Sequence, residues 1–149
     1  ELCIVHAPTS PEIKGTDSVL KVIEELKDKY SFNFKLVQGM SHSEARKIYE
    51  EADIIIDQLR IGSYGLLAIE AMAMGKTVIT FISDPMKDKY PKELPIISAN
   101  PDSLKDTLEY LIINKDMLEK KGEDGRLFVE KYHDSNLIAK NLLELYKGC

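Results

Sequence analysis

Five short apolar runs, rich in β-branched residues and lacking strict alternation, lie along the chain at residues 2–5, 34–37, 54–56, 78–82 and 96–97. Strands covered on both faces read this way, because neither side has to present polar groups to water. Helical periodicity fills the gaps. Val19, Leu20, Val22, Ile23, Leu26 and Tyr30 repeat at three and four, with Thr16 or Asp17 placed to cap. Ala45, Ile48, Tyr49 and Ala52 do the same behind Ser41 and Glu44, which have capping-box spacing. Residues 65–74 are apolar almost all round and stop at Gly75, a C-cap signal. Such alternation implies a parallel sheet with right-handed crossovers, a Rossmann-like three-layer α/β/α fold. Five strands are expected, in the order 2-1-3-4-5. After Asn100-Pro101 only helical patterns follow, over 104–113, 117–132 and 136–146, while residues 83–95, with three prolines, read as one long polar loop.

Composition narrows the function classes. The 149 residues are expected to form a single domain, 1–149, and a chain of this size buries roughly 70% of its unfolded surface. A hydrophobic content of 44% excludes intrinsic disorder. Twenty Lys+Arg against 25 Asp+Glu leave a net charge of −5 without a concentrated basic run, which opposes binding to a nucleic-acid backbone. No run approaches the ~18 apolar residues of a membrane span. Cys3 and Cys149 lie near opposite ends, which argues against a disulfide framework and fits a reducing, cytoplasmic compartment. No signal peptide is apparent, and the start inside a hydrophobic run without Met reads as a piece of something longer.

In an open parallel sheet, ligands bind beyond the carboxyl ends of the strands where the strand order reverses, here between strands 1 and 3. The loops meeting there span 6–15 and 57–65. The second carries Gly62-Ser63-Tyr64-Gly65 and opens the apolar helix, so its backbone can approach a ligand and the free amides of the helix start attract phosphate. Glu70 is the only charged residue between Gly62 and Gly75. A carboxylate in such a helix costs several kcal/mol unless it is hydrogen-bonded. It either faces solvent or a neighbouring loop, or accepts bonds from ligand hydroxyls such as those of a ribose. Lys14, beside Gly15, can neutralise a diphosphate as a point charge or stand as a solvated surface lysine. His6 ends strand 1, where it either donates to a ligand or is a hydrogen-bonded structural histidine.

Residues 64–79, Tyr-Gly-Leu-Leu-Ala-Ile-Glu-Ala-Met-Ala-Met-Gly-Lys-Thr-Val-Ile, resemble the signature of retaining glycosyltransferases of family 4. That signature is Glu-x-Phe/Tyr-Gly, four spacers, then Glu-Ala-Met-Ala-x-Gly-x-Pro-Val. Lys14-Gly15 resembles the Lys-Gly that follows the first strand in that family. The resemblance implies the C-terminal, nucleotide-sugar-binding half of a two-domain GT-B enzyme, a hexosyltransferase acting without metal or cofactor. It also implies a UDP- or GDP-linked donor rather than an ADP-linked one. A saccharide or lipid-linked acceptor is then held by an N-terminal domain, in glycan, capsule or other polysaccharide biosynthesis, with peripheral contact to the cytoplasmic membrane face compatible with the reading. By position, Lys14 contacts the donor diphosphate, the amides of Gly65, Leu66 and Leu67 cradle it, and Glu70 holds the ribose. Lys14 and Glu70 are thus the residues expected to carry the reaction. Gln38-Gly39-Met40 lies near the base.

Three positions depart from the pattern. Gly62 stands where the family has its first acidic residue, which addresses the donor sugar. The arginine of the first loop is replaced by Thr9-Ser10-Pro11-Glu12, and Thr77 replaces a proline. Arg60 is placed to supply the missing guanidinium, since a fork-shaped donor suits a diphosphate; the alternative is an exposed loop arginine. The short stretch after strand 2 favours five strands over the family's six. Two other readings compete. A receiver-type phosphoacceptor would use Asp57, but His6-Ala7-Pro8 offers no acidic pair after strand 1 to hold a metal. A non-catalytic nucleotide-sugar-binding or interaction module of the same fold is compatible with Gly62.

Overall fold

The structure is a computed structural model and describes residues 2–7, 15–59 and 66–132. Strands β1 (Cys3–His6), β2 (Asn33–Leu36), β3 (Ile54–Ile56) and β4 (Thr77–Ile79) form one parallel sheet in the order β2-β1-β3-β4. Ile4 pairs with Phe34 on one side and Ile54 on the other, and Ile55 pairs with Val78. The helices among the described residues are α1 (Thr16–Lys27), α2 (His42–Glu51), α3 (Leu66–Ala73), α4 (Asp84–Lys87), α5 (Leu104–Ile113) and α6 (Asp116–Tyr132).

The unalternating strands have the cause their sequence implies. On one face, Val19, Ile23 and Leu26 of α1 and Leu104, Leu108 and Leu111 of α5 cluster with Ile4, Ile54 and Ile56. On the other, Ala45 and Tyr49 of α2, Ala68, Ala71 and Met72 of α3, and Phe128 and Val129 of α6 cover Val5, Ile55 and Val78. All three isoleucines of β3 are fully buried. Burial also pushes the Cys3 thiol above its usual range, while Cys149 lies outside the described residues. At the sheet edge, Lys35 of β2 is tied to Glu51 at 2.7 Å. Among the described residues no helix is long and apolar enough to cross a membrane.

Three features differ from the expectations of the sequence. The expected fifth strand is a single bridge, Ile79 to Ile97, in which Ile97 N–H donates to Val78 and Thr80 N–H to Ile97. Pro95 has no N–H to offer a ladder, and beyond Ile97 a side chain takes the backbone's place: Ser98 Oγ accepts from Ile82 N–H and donates to its carbonyl. The N-cap of α1 is Gly15, left-handed at φ 77 with no side-chain bond, and Thr16 lies inside the helix. A Cβ on Gly15 would meet Leu59 Cβ at 3.1 Å, so Leu59 leaves little room there for a side chain. The expected polar loop contains the short α4, with proline in its first turn. The helix predicted over 136–146 lies outside the described residues. As expected, Ser41 Oγ accepts from Glu44 N–H at the start of α2.

The turn from α3 to β4 is the tightest junction. Gly75, at φ 77, lets its own N–H reach Met72 and the Lys76 N–H reach Ala71, which closes the helix end. Helix α6 crosses this turn through its glycines: a Cβ on Gly122 would sit 2.0 Å from the Gly75 carbonyl oxygen, and one on Gly125 3.2 Å from Met72. Thr77 Oγ1 adds a hydrogen bond to the Leu118 carbonyl. Because backbone cannot give way as a side-chain tip can, Gly122→Ala is expected to destabilise the fold by about 3 kcal/mol, the upper end of overpacking costs. Urea unfolding of the variant beside the parent measures this, and a loss under ~0.5 kcal/mol would place α6 further from the turn.

Candidate functional site

The strand order fixes where a site can form. From β1 the chain runs through α1 to β2 on one side, then returns through α2, over β1, to β3 on the other. The chain therefore leaves the paired carboxyl ends of β1 and β3 in opposite directions, which opens a crevice there. A cleft of about 450 Å³ lined by Leu2, Asp53, Lys76 and Lys115 lies at the opposite edge, where the strands begin. A parallel sheet of this kind takes its ligands at the carboxyl edge, where the strand order reverses, and not at the edge that holds this cleft.

Lys14, Arg60, Gly62, Ser63, Tyr64 and Gly65 lie outside the described residues. The others can be placed. His6 is fully buried at the end of β1, with Nδ1 2.8 Å from the Ile56 carbonyl oxygen and Nε2 3.0 Å from Thr16 Oγ1. A carbonyl only accepts, so Nδ1 carries the proton; in the neutral ring Nε2 then accepts from the Thr16 hydroxyl. Both nitrogens are thus engaged by protein groups, and the ring ties β1, β3 and the first turn of α1 together. This also explains why Thr16 does not cap. Next to it, Asp57 and Gln58 are buried at the end of β3, and the Gln58 amide donates to Thr80 Oγ1 and to the Phe81 carbonyl. The carboxyl edge is therefore cross-linked from α1 to the end of β4.

Gln38, Gly39 and Met40 form an exposed turn after β2, with Gly39 at φ 64 and Met40 37% exposed. Helix α3 begins at Leu66, so the amides of Leu66 and Leu67 are among the first-turn donors without an intrahelical acceptor. Leu67 is half-buried against the core of that face.

Glu70 lies in the second turn of α3 and is mostly buried. Its side chain is 11% exposed, and its Oε1 is buried without a hydrogen-bond partner. Among the described residues His42, the first residue of α2, forms an ion pair with it, its Nε2 lying 3.6 Å from that oxygen. This is an ion-pair separation and too long for a hydrogen bond. The sequence singles out Glu70 and gives no hint of His42, because Ser41 and Glu44 account for the neighbourhood as a helix cap and nothing in the local pattern points to α3. No group of three or more potential metal ligands occurs among the described residues.

No protein-family model matches the chain. It is 26% identical, over 80% of its length and 40% of the relative's, to an uncharacterized glycosyltransferase of Methanocaldococcus jannaschii. The C-terminal domain of a glycosyl transferase group 1 family protein from Francisella tularensis superposes with a TM-score of 0.68, at 15% identity, over 90% of this chain and 87% of that one. The fold is that of the Rossmann-like C-terminal half of a GT-B glycosyltransferase. A second neighbour, an Anabaena protein solved in complex with UDP-glucose, matches with a TM-score of 0.65 at 10% identity, over 100% of this chain and 49% of that one. The chain thus spans about two fifths of the archaeal glycosyltransferase and about half of the Anabaena protein.

In this glycosyltransferase fold an unbonded buried carboxylate oxygen is a stability deficit that a functional site tolerates. Glu70→Met, which keeps the volume and removes the charge, is therefore expected to stabilise the ligand-free protein by about 1 kcal/mol. Chemical denaturation checks this; a destabilised Met variant would mean that Glu70 already has good partners.

Proposed function

We propose that this chain is the donor-binding half of a glycosyltransferase that transfers a sugar from a nucleoside diphosphate to an acceptor held by a second domain. The observation that carries the reading is the orphaned Oε1 of Glu70, one turn into a helix whose first amides have no intrahelical acceptor. Hydroxyls donate to carboxylates and diphosphates accept from amides, so a nucleoside diphosphate meets both needs with one molecule. In the proposed pose the ribose lies on Glu70 and the diphosphate on the amides of Gly65, Leu66 and Leu67. Lys14 and Arg60 supply charge, and the base lies toward Gln38-Gly39-Met40. The likeness to a protein solved with UDP-glucose supports a UDP-linked donor.

The work of this half is to stabilise the leaving group. Preorganised amides and Lys14 offset charge as it develops on the departing diphosphate, without a metal or other cofactor. Gly62, where a sugar-contacting acid is expected, favours a second reading: a module that binds a nucleotide sugar and turns none over.

A thermal-shift series with UDP, GDP and their sugars tests the binding. A ligand specific for the native state adds about 2.7 kcal/mol at a hundredfold excess over its Kd. One of these nucleotides is expected to stabilise the protein, Glu70→Ala to abolish the shift, and Arg60→Ala to weaken it. No stabilisation by any of them would overturn the proposal. The chain alone is expected to show no sugar transfer; transfer once an acceptor domain is joined to it separates the enzyme from the non-catalytic module.

A further inference from the structure

We infer that Leu59 is a positioning residue for diphosphate recognition: by packing on Gly15 it fixes the chain entering α1 against the chain leaving β3. The inference rests on the nucleotide-binding reading above and adds to it a residue that acts without touching the ligand.

The contact joins two pieces of chain that are each pinned from behind. On one side is Gly15, at the start of α1. Its neighbour Thr16 is bonded through its hydroxyl to His6 Nε2 at 3.0 Å, while His6 Nδ1 donates to the Ile56 carbonyl at the end of β3. On the other side is Leu59, 1% exposed. The residue before it, Gln58, donates through its amide to Thr80 Oγ1 at 2.8 Å and to the Phe81 carbonyl at 2.9 Å, and its own carbonyl accepts from Phe81 N–H. The two pieces meet without slack: a Cβ on Gly15 would lie 3.1 Å from Leu59 Cβ and 3.4 Å from its Cδ1. A close-packed contact of this kind transmits a displacement instead of absorbing it.

What the contact holds follows from the sequence. Lys14 precedes Gly15 and Arg60 follows Leu59, so the two cations assigned to the diphosphate are each one peptide link, about 3.8 Å, from this contact. A diphosphate is short, and two cations serve it together only if their backbones stay close. Leu59 sets that spacing. A residue that merely filled the core would change stability and would not distinguish a diphosphate from a monophosphate.

The test counts phosphates. UDP, GDP and their monophosphates are titrated by calorimetry into the full chain, into Leu59→Ala, Leu59→Val and Lys14→Ala, and into the double variant of Leu59→Ala with Lys14→Ala. Leu59→Ala is expected to bind the better diphosphate roughly tenfold more weakly and its monophosphate within about twofold of the parent, with Leu59→Val between the two. Lys14→Ala is expected to weaken the diphosphate in the parent and to cost little more in the Leu59→Ala background, since the two changes disable one device. Thermal midpoints of the ligand-free variants show which are folded; where Leu59→Ala is not, the smaller truncation in Leu59→Val decides. If the folded Leu59 variants weaken diphosphate and monophosphate equally, or weaken neither, Leu59 only fills the core and the inference is overturned, while the nucleotide-binding reading stands. If no nucleotide binds the parent protein, both fall together.

Discussion

The contact on which the site depends is a backbone-to-backbone one, between α6 at Gly122 and the carbonyl of Gly75. With no side chain interposed, α6 rests directly on the turn that ends α3 and starts β4. Gly125 against Met72 extends the contact along α3, and Thr77 locks β4 to the first turns of α6. The orientation of α3 follows from this junction, and with it the direction in which Glu70 points. A helix that is apolar almost all round would otherwise have many ways to roll on a sheet face, since hydrophobic burial has no preferred direction.

Against that rigid seat, Glu70 is a local conflict that the rest of the fold tolerates. Glu70 shares α3 with the buried Ala68, Ala71 and Met72, and its Oε1 is buried; among the described residues that oxygen has an imidazole beyond hydrogen-bonding distance. Elsewhere at the same edge, His6 serves Ile56 and Thr16, and Gln58 serves Thr80 and Phe81. The contrast matters. His6 and Gln58 are engaged by protein groups, while Glu70 holds an unmet acceptor, the pattern expected where a ligand completes the structure.

The architecture is legible in the sequence because parallel strands with both faces covered leave a clear mark, as in Ile54-Ile55-Ile56, and because Gly75 marks its helix end by chemistry that only glycine supplies cheaply. The fifth strand is not: Ile96-Ile97 is apolar, but Pro95 and the Ser98 side chain divert the backbone bonds a strand needs. Thr16 looks like a cap, yet its hydroxyl is claimed by His6 from across the sheet, a tertiary demand invisible in local sequence. Glu70 stands out as a lone charge in an apolar helix. Its neighbour His42 does not, since a histidine at the start of an amphipathic helix is unremarkable until the fold brings α2 alongside α3. Lys14, Arg60 and the glycine-flanked turn rest on resemblance and position and lie outside the described residues.

The ion pair at the sheet margin has a consequence of its own. Among the described residues β2 is an edge strand, and an edge invites recruitment by a like strand from another molecule. Lys35, held by Glu51 from the following helix, keeps a charge on that rim. Any would-be neighbour must bury it to dock, so the pair guards solubility far more than it strengthens the fold.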